Sequence, residues 1–194
     1  MSCTIPQYCY SPLSQALGSI RLLRLVANEN DRADVRCELF EYRLQESDKA
    51  TFPYEALSYT WGDPDKRQSI FIGGHSFNVT TNLYAALLRL RDRYITRIIW
   101  VDAVCINQAD DEEKAQQIQF MAKIYAKASR VIVWLGETAD NSDRALESIR
   151  ATAGHGNYLD DVTARDGIIA LLQRQWFRRI WVRQRTFYNV SIIY

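Results

Sequence analysis

Apolar and polar positions alternate between two periods along this chain, and the changes of period mark out its elements. Ile20 to Val26 reads as a strand and is followed by turn chemistry at Asn28-Glu29-Asn30-Asp31. Cys37 to Leu44 reads as a second strand, apolar at alternate positions with one slip at Leu39-Phe40 that reads as a β-bulge. The two are expected to pair as a hairpin with a long connection. Tyr54 to Tyr59 is a short apolar run that stops at Trp61-Gly62-Asp63-Pro64, as a buried strand would. Ser69 to Ile72, the pair Gly73-Gly74, and Phe77 to Val79 make a hairpin whose glycines supply the positive φ of a tight turn. Thr81 or Asn82 is then placed to cap a helix with Leu83, Ala86, Leu87 and Leu90 on one stripe.

Arg97 to Val104 is the strongest strand pattern, apolar on both faces, as in a parallel strand covered by helices on either side. A polar loop from Asn107 to Glu113 ends in acids, which suit the positive end of the next helix. That helix is expected to present Ile118, Met121, Ala122 and Tyr125 inward. Arg130 to Leu135, closed by Gly136, is another buried strand. Asn141 or Ser142 caps a helix through Arg150, and Gly154 to Asn157 is a break. Asp166 caps a helix to about Gln173, and Phe177, Ile180, Trp181 and Gln184 share one face of a final helix. Val190 to Tyr194 reads as a last strand. Strands and helices alternating at these spacings predict an α/β domain, with a mainly parallel sheet flanked by helices and antiparallel additions from the leading strands and the hairpin. Residues 1–18, with Pro6, Pro12 and Gly18, read as a loose arm, and 19–194 as a single domain.

Composition narrows the function. At 194 residues the chain is long enough for a full core. Lys and Arg number 24 against 23 Asp and Glu, a net charge of +1 that provides no field for a polyanion, so nucleic acid is not expected. No apolar run approaches a membrane span, and the N-terminus does not read as a signal peptide. The cysteines at 3, 9, 37 and 105 form no Cys-x-x-Cys pair, and the only histidines are His75 and His155. A metal site is therefore not expected, and free thiols point to the cytoplasm. Cys105 as a nucleophile lacks a histidine base near it in sequence, so a buried apolar thiol is expected.

In an open parallel sheet, ligands bind beyond the carboxyl ends of the strands. That rule selects Tyr59, Trp61, Gly62 and Asp63 after one strand and Asp102, Asn107 and Gln108 after another. Glu55, at the start of its strand, should point away. Trp61-Gly62 suits a flat face for a base or nicotinamide ring, or a plain turn with an anchoring aromatic. Asp102 suits a ribose hydroxyl or an oriented water, or the capping of the next loop. No phosphate-loop or Gly-x-Gly-x-x-Gly pattern is present. Arg174, Arg178 and Arg179 around Trp176-Phe177 suit an anion patch or a solvated helix face. Asp110 to Glu113 is most simply a helix start.

The segments Tyr54-Glu55-Ala56-Leu57-Ser58-Tyr59-Thr60-Trp61-Gly62-Asp63, Asn82-Leu83 with Ala86-Leu87 and Leu90-Arg91, Ile99-Trp100-Val101-Asp102-Ala103-Val104-Cys105-Ile106-Asn107-Gln108, Gln116 to Glu137 and Trp176 to Gln184 occur in this order. Together they resemble the fungal heterokaryon incompatibility (HET) domain. The resemblance implies a toxic or signalling role in programmed cell death when unlike hyphae fuse, through self-assembly or through partners such as other HET or sensor proteins. The family is also distantly similar to Toll/interleukin-1 receptor (TIR) domains, which implies a TIR-like, flavodoxin-like sheet. The Trp181-Val182-Arg183-Gln184 segment resembles the TIR helix whose glutamate serves NAD hydrolysis in some members. That similarity implies NAD as a substrate or ligand, with no resident cofactor, and places Trp181 and Gln184 at the pocket. HET domains usually carry Gln-Glu at 184–185. Here position 185 is Arg185, which stays protonated and cannot offset developing positive charge.

Overall fold

The computed structural model describes residues 5–14, 16, 18–44, 53–139, 142–155, 162–178 and 190–193. They divide into two compact units, residues 5–134 with 190–193, and residues 135–178.

The first unit is built on one eight-stranded mixed sheet. Its strands are β1 (Ser19–Leu25), β2 (Arg36–Arg43), β3 (Glu55–Ser58), β4 (Arg67–Ile72), β5 (His75–Thr80), β6 (Arg97–Trp100), β7 (Arg130–Trp134) and β8 (Val190–Ile193), in the order β5-β4-β2-β1-β6-β3-β7-β8. The ladders β2–β4, β3–β6, β3–β7 and β7–β8 are parallel; β1–β2, β1–β6 and β4–β5 are antiparallel. The expected α/β class holds, and so do the antiparallel leading hairpin and the Gly73-Gly74 turn, both glycines having positive φ.

The β-bulge expected at Leu39-Phe40 is absent. The β1–β2 register runs without interruption from Ser19 opposite Arg43 to Leu25 opposite Cys37. The slip in pattern arises because Leu39 and Phe40, on opposite faces, are both partly covered. In β1 every residue but Arg24 is buried, so this strand is enclosed on both faces.

Among the described residues this unit carries the helices α1 (Thr81–Leu90), α2 (Asp102–Cys105) and α3 (Asp111–Lys127). Leu83, Ala86, Leu87 and Leu90 of α1 are buried on the predicted stripe. The strand expected to reach Val104 stops at Trp100, and Asp102 opens the helical turn α2 instead. Val101 carries the backbone across, and the Cys105 amide donates to its carbonyl at 2.8 Å.

Helix α3 is rotated from expectation. Ile118 is 47% exposed and Ala122 is exposed. Its buried residues are Gln117 and Ile124, with Glu113, Phe120 and Met121 partly buried. Polar side chains face inward here because they have partners. Arg21, 5% exposed, is gripped by Glu113 through Nη1–Oε1 at 2.5 Å and Nη2–Oε2 at 2.9 Å. The Gln117 amide donates to the Ser19 carbonyl at 2.9 Å. Asp110 caps the helix, accepting from the amides of Glu112 and Glu113.

Residues 5–14, read from sequence as a loose arm, are held in place. Gln7 bridges Ser76 at the edge of β5, with Tyr8 N to Ser76 O and Ser76 N to Pro6 O both 2.9 Å. Tyr8, Tyr10 and Phe77 pack edge to face. The Tyr10 hydroxyl donates to Val104 O at 2.9 Å, and the Arg21 guanidinium lies 5.0 Å from the Tyr10 ring centre while donating to Ser11 O at 2.7 Å.

At the amino ends of the parallel strands Glu55 is only 13% exposed. It accepts from Arg97 of β6 at 2.6 Å and Arg130 of β7 at 3.2 Å. It belongs to the sheet, away from the carboxyl ends, as expected.

The second unit comprises α4 (Ser142–His155), α5 (Val162–Gln173) and a 3-10 turn (Gln175–Arg178). Helix α4 continues past Arg150 and ends at His155, within the expected break of Gly154 to Asn157, whose last two residues lie outside the described residues. Asp166, expected as a cap, lies inside α5. Arg174 donates to Leu135 O at 3.0 Å and Ala139 O at 3.2 Å. That guanidinium is occupied by backbone carbonyls, contrary to both an anion patch and a solvated helix face, while Arg178 is exposed. The expected final helix with Ile180, Trp181 and Gln184, and Arg179 beside it, lies outside the described residues.

Candidate functional site

The carboxyl ends of β3 and β6 meet through side chains. Leaving β3, the chain passes Tyr59 and Thr60 and turns at Trp61-Gly62, where Gly62 has φ +78°. A Cβ there would also stand 3.0 Å from the Asn82 Cβ, so any other residue is strained in conformation and crowded against Asn82. The Trp61 indole is 45% exposed. Its Nε1 donates to Asp102 Oδ2 at 3.1 Å, across from the end of β6.

Asp102 is half-buried. Its Oδ1 accepts from the Ala103 amide at 2.8 Å, and its carbonyl accepts from the Gln108 side chain at 2.9 Å. The carboxylate sits at the first residue of α2 and takes up the Ala103 amide, which the helical turn leaves without a backbone partner. Trp61 and Asp102, proposed from sequence at separate strand ends, are therefore in contact.

The other proposed residues divide. Gln108 reaches Asp102, but by its backbone, and so stabilises the α2 turn. Asn107 Oδ1 accepts from Ala109 N at 3.2 Å, and the Asn107 amide donates to Glu113 at 2.8 Å, which ties this loop to the buried Arg21 pair. Asp63 closes a local turn by accepting from Asp65 N at 3.0 Å, with Lys66 at 3.7 Å. Tyr59 is 2% exposed and belongs to the core. Trp181, Gln184 and Arg185 lie outside the described residues.

Cys105 lies just beyond this ledge with its thiol in the core. It is 1% exposed, and burial pushes the thiol up to about 12. Val101 N donates to its sulfur at 3.4 Å. A thiol so far from ionising at neutral pH is no nucleophile, as the sequence led us to expect. Among the described residues no three His, Cys, Asp or Glu side chains cluster as metal ligands, and no described helix is long and apolar enough to cross a membrane.

The sequence offers Thr81 or Asn82 as the cap of α1, which conceals the contacts that Asn82 makes. Thr80 holds that role, its Oγ1 accepting from Leu83 N at 3.3 Å. Asn82 Nδ2 instead donates to Thr60 O at 2.6 Å, and its Oδ1 accepts from Trp134 Nε1 at 2.9 Å. One carboxamide thus joins the ends of β3 and β7 to the first turn of α1. The sequence signal at Asn82 is its place in the segment Asn82-Leu83 to Leu90-Arg91 that resembles the HET domain, and that resemblance assigns the side chain no partner.

The resulting ledge offers a flat indole face beside a carboxylate. A carboxylate there accepts hydrogen bonds from hydroxyl groups or steadies a positive charge, and an indole stacks on a planar ring.

Comparison with known proteins gives these residues a family. The family model described as "Heterokaryon incompatibility protein (HET)" matches residues 54–185, more than half of the chain. A relative from Neurospora crassa, "Heterokaryon incompatibility protein 6, OR allele", is 37% identical over 109 residues. That match covers 50% of this chain and 16% of the relative, so the chain corresponds to a small part of the longer protein. No solved structure matches. The matched segment contains Trp61, Asn82 and Asp102, and the chain belongs to the heterokaryon incompatibility (HET) family.

Proposed function

We propose that this chain is an effector module of fungal heterokaryon incompatibility, acting in cytoplasmic programmed cell death by assembling with itself or with other HET or sensor proteins. Family membership across residues 54–185 is the observation that carries this reading, and the printed name of the Neurospora relative supports it. Induced expression in a filamentous fungus tests it. The expected result is loss of hyphal viability, with the protein running above monomer size in light scattering. Normal growth at confirmed expression refutes the effector role.

A second reading is favoured by the contact between Trp61 and Asp102 at the strand ends. In it the ledge takes a nicotinamide nucleotide, the TIR-like activity being hydrolysis of NAD. A planar ring stacks on Trp61, and Asp102 accepts a ribose hydroxyl or supports the oxocarbenium-like sugar as nicotinamide leaves. Arg185 stands where the family usually has glutamate, and a guanidinium cannot take the part of that carboxylate. Incubation with NAD and chromatography for nicotinamide tests this. Arg185→Glu is expected to raise release, and Asp102→Ala in that background to abolish it. No release from either protein refutes the nucleotide reading and leaves the assembly reading standing.

A further inference from the structure

We infer that Asn82 is the positioning residue of the Trp61–Asp102 ledge, holding the indole where a planar nucleotide ring would stack. The inference rests on the nucleotide reading for its ligand, but its geometry is independent of it.

Asn82 brackets Trp61 from both sides. Before the tryptophan, its Nδ2 donates to Thr60 O at 2.6 Å, with Thr60 Oγ1 at 3.4 Å. After it, the Gly62 backbone approaches so closely that an added Cβ would meet the Asn82 Cβ at 3.0 Å. The turn that aims the indole is therefore clasped by one side chain.

Asn82 is itself fixed from two directions. Its Oδ1 accepts from the Trp134 indole, and Trp134 is 2% exposed at the end of β7. Its backbone lies in the first turn of α1, a helix anchored by the fully buried Leu83, Ala86 and Leu87. Because Thr80 caps the helix, the carboxamide is not engaged there, and both its polar atoms reach partners 22 and 52 residues away in sequence. The rigidity of β7 and α1 is thereby passed to a turn that presents a half-exposed ring. A displacement of about 1 Å at such a position is enough to change a reaction rate by orders of magnitude.

The two arms of the carboxamide can be cut separately. Asn82→Asp keeps an acceptor for Trp134 but loses the donor to Thr60; Asn82→Ala loses both. Hydrogen exchange of the indole N–H groups of 15N-labelled protein reads the result, with resonances assigned through Trp61→Phe and Trp134→Phe. In Asn82→Asp the Trp61 indole is expected to exchange at least about tenfold faster, approaching the rate in Asp102→Ala, while Trp134 keeps its protection. An unchanged Trp61 rate in Asn82→Asp overturns the inference. So does parallel loss of protection at Trp61 and Trp134, which marks a residue needed only for folding.

A kinetic arm uses NAD in the Arg185→Glu background. Asn82→Asp is expected to raise KM about tenfold, while Asp102→Ala removes turnover. The exchange experiment contains no nucleotide, so its failure removes the role of Asn82 alone. Absence of nicotinamide release removes the nucleotide reading alone.

Discussion

Removing Glu113 should cost far more than any surface charge in this protein. Its partner Arg21 is 5% exposed on an internal strand, and Glu113 is 10% exposed on α3. Without the carboxylate, the guanidinium retains the Ser11 carbonyl at 2.7 Å, the Cys105 carbonyl at 3.4 Å and the face of Tyr10. These are dipoles and a ring; Glu41, opposite Arg21 in the ladder, still feels the cation, but it is exposed and engaged with Ser14. Stripping one partner from a buried pair costs about 3–5 kcal/mol. At about 2–4 °C per kcal/mol for a chain of this size, Glu113→Ala should lower the melting midpoint by about 6–20 °C. Arg21→Met should cost less, because the Glu113 carboxylate keeps the Asn107 amide as a donor at 2.8 Å. Arg21→Met/Glu113→Leu should recover most of the loss, since an apolar pair of similar volume leaves no buried charge. Urea unfolding followed by tryptophan fluorescence measures all three, with Trp100 and Trp134 buried in the same unit. A loss below about 1 kcal/mol for Glu113→Ala would place this pair with ordinary surface ion pairs. A double variant no better than the single would show that the energy lies in packing and not in charge.

Two further outcomes follow from the same structure. Burial raises the thiols of Cys37 and Cys105 from 9.0 to about 12. The unfolded thiols ionise first, so native stability is intact below pH 9 and falls between about pH 9 and 12, by up to about 1.4 kcal/mol per pH unit for each thiol. Cys37→Val should flatten the slope in alkaline urea titrations, and an unchanged slope would refute the assignment. Arg91 donates to the carbonyls of Asn30, Asp31, Ala33 and Asp34 at 2.7–3.2 Å. Arg91→Lys, with a point charge in place of a planar fork, should lose about 1–2 kcal/mol and speed amide exchange across residues 28–34. Exchange confined to wild-type rates there would remove the clasp from the account.

The sequence was most legible where apolar period and turn chemistry agreed. The α1 stripe and the Gly73-Gly74 hairpin follow from local rules that the fold does not override. It misled at α3, where an apolar count put Ile118 inside. Glu113 and Gln117 claim the inner face through Arg21 and Ser19, residues about ninety positions away, and no local pattern announces such pairs. The end of β6 was misjudged for a similar reason, because Val101 to Val104 is as apolar in a buried helical turn as in a strand. At the candidate site, the strand-end rule selected Trp61 and Asp102 but could not see that they touch. Nor could it separate them from Asp63 and Asn107, whose side chains close their own turns. The partners of Asn82 were hidden because they lie 22 and 52 residues away, and Asn at a helix start ordinarily signals a cap.

Glu55 has a consequence for how the parallel strands find one another. In the ladders it stands opposite Ile99 and Arg130, and its single carboxylate answers a guanidinium from each flanking strand. A slip of two residues keeps every side chain on its proper face, so apolar pattern alone does not forbid it. It would move the carboxylate by about 6.6 Å and strand both cations. Glu55 thus serves as an alignment pin at the base of the layer, and the opposite rim, where Trp61 and Asp102 meet, inherits its lateral accuracy from a contact one strand length below.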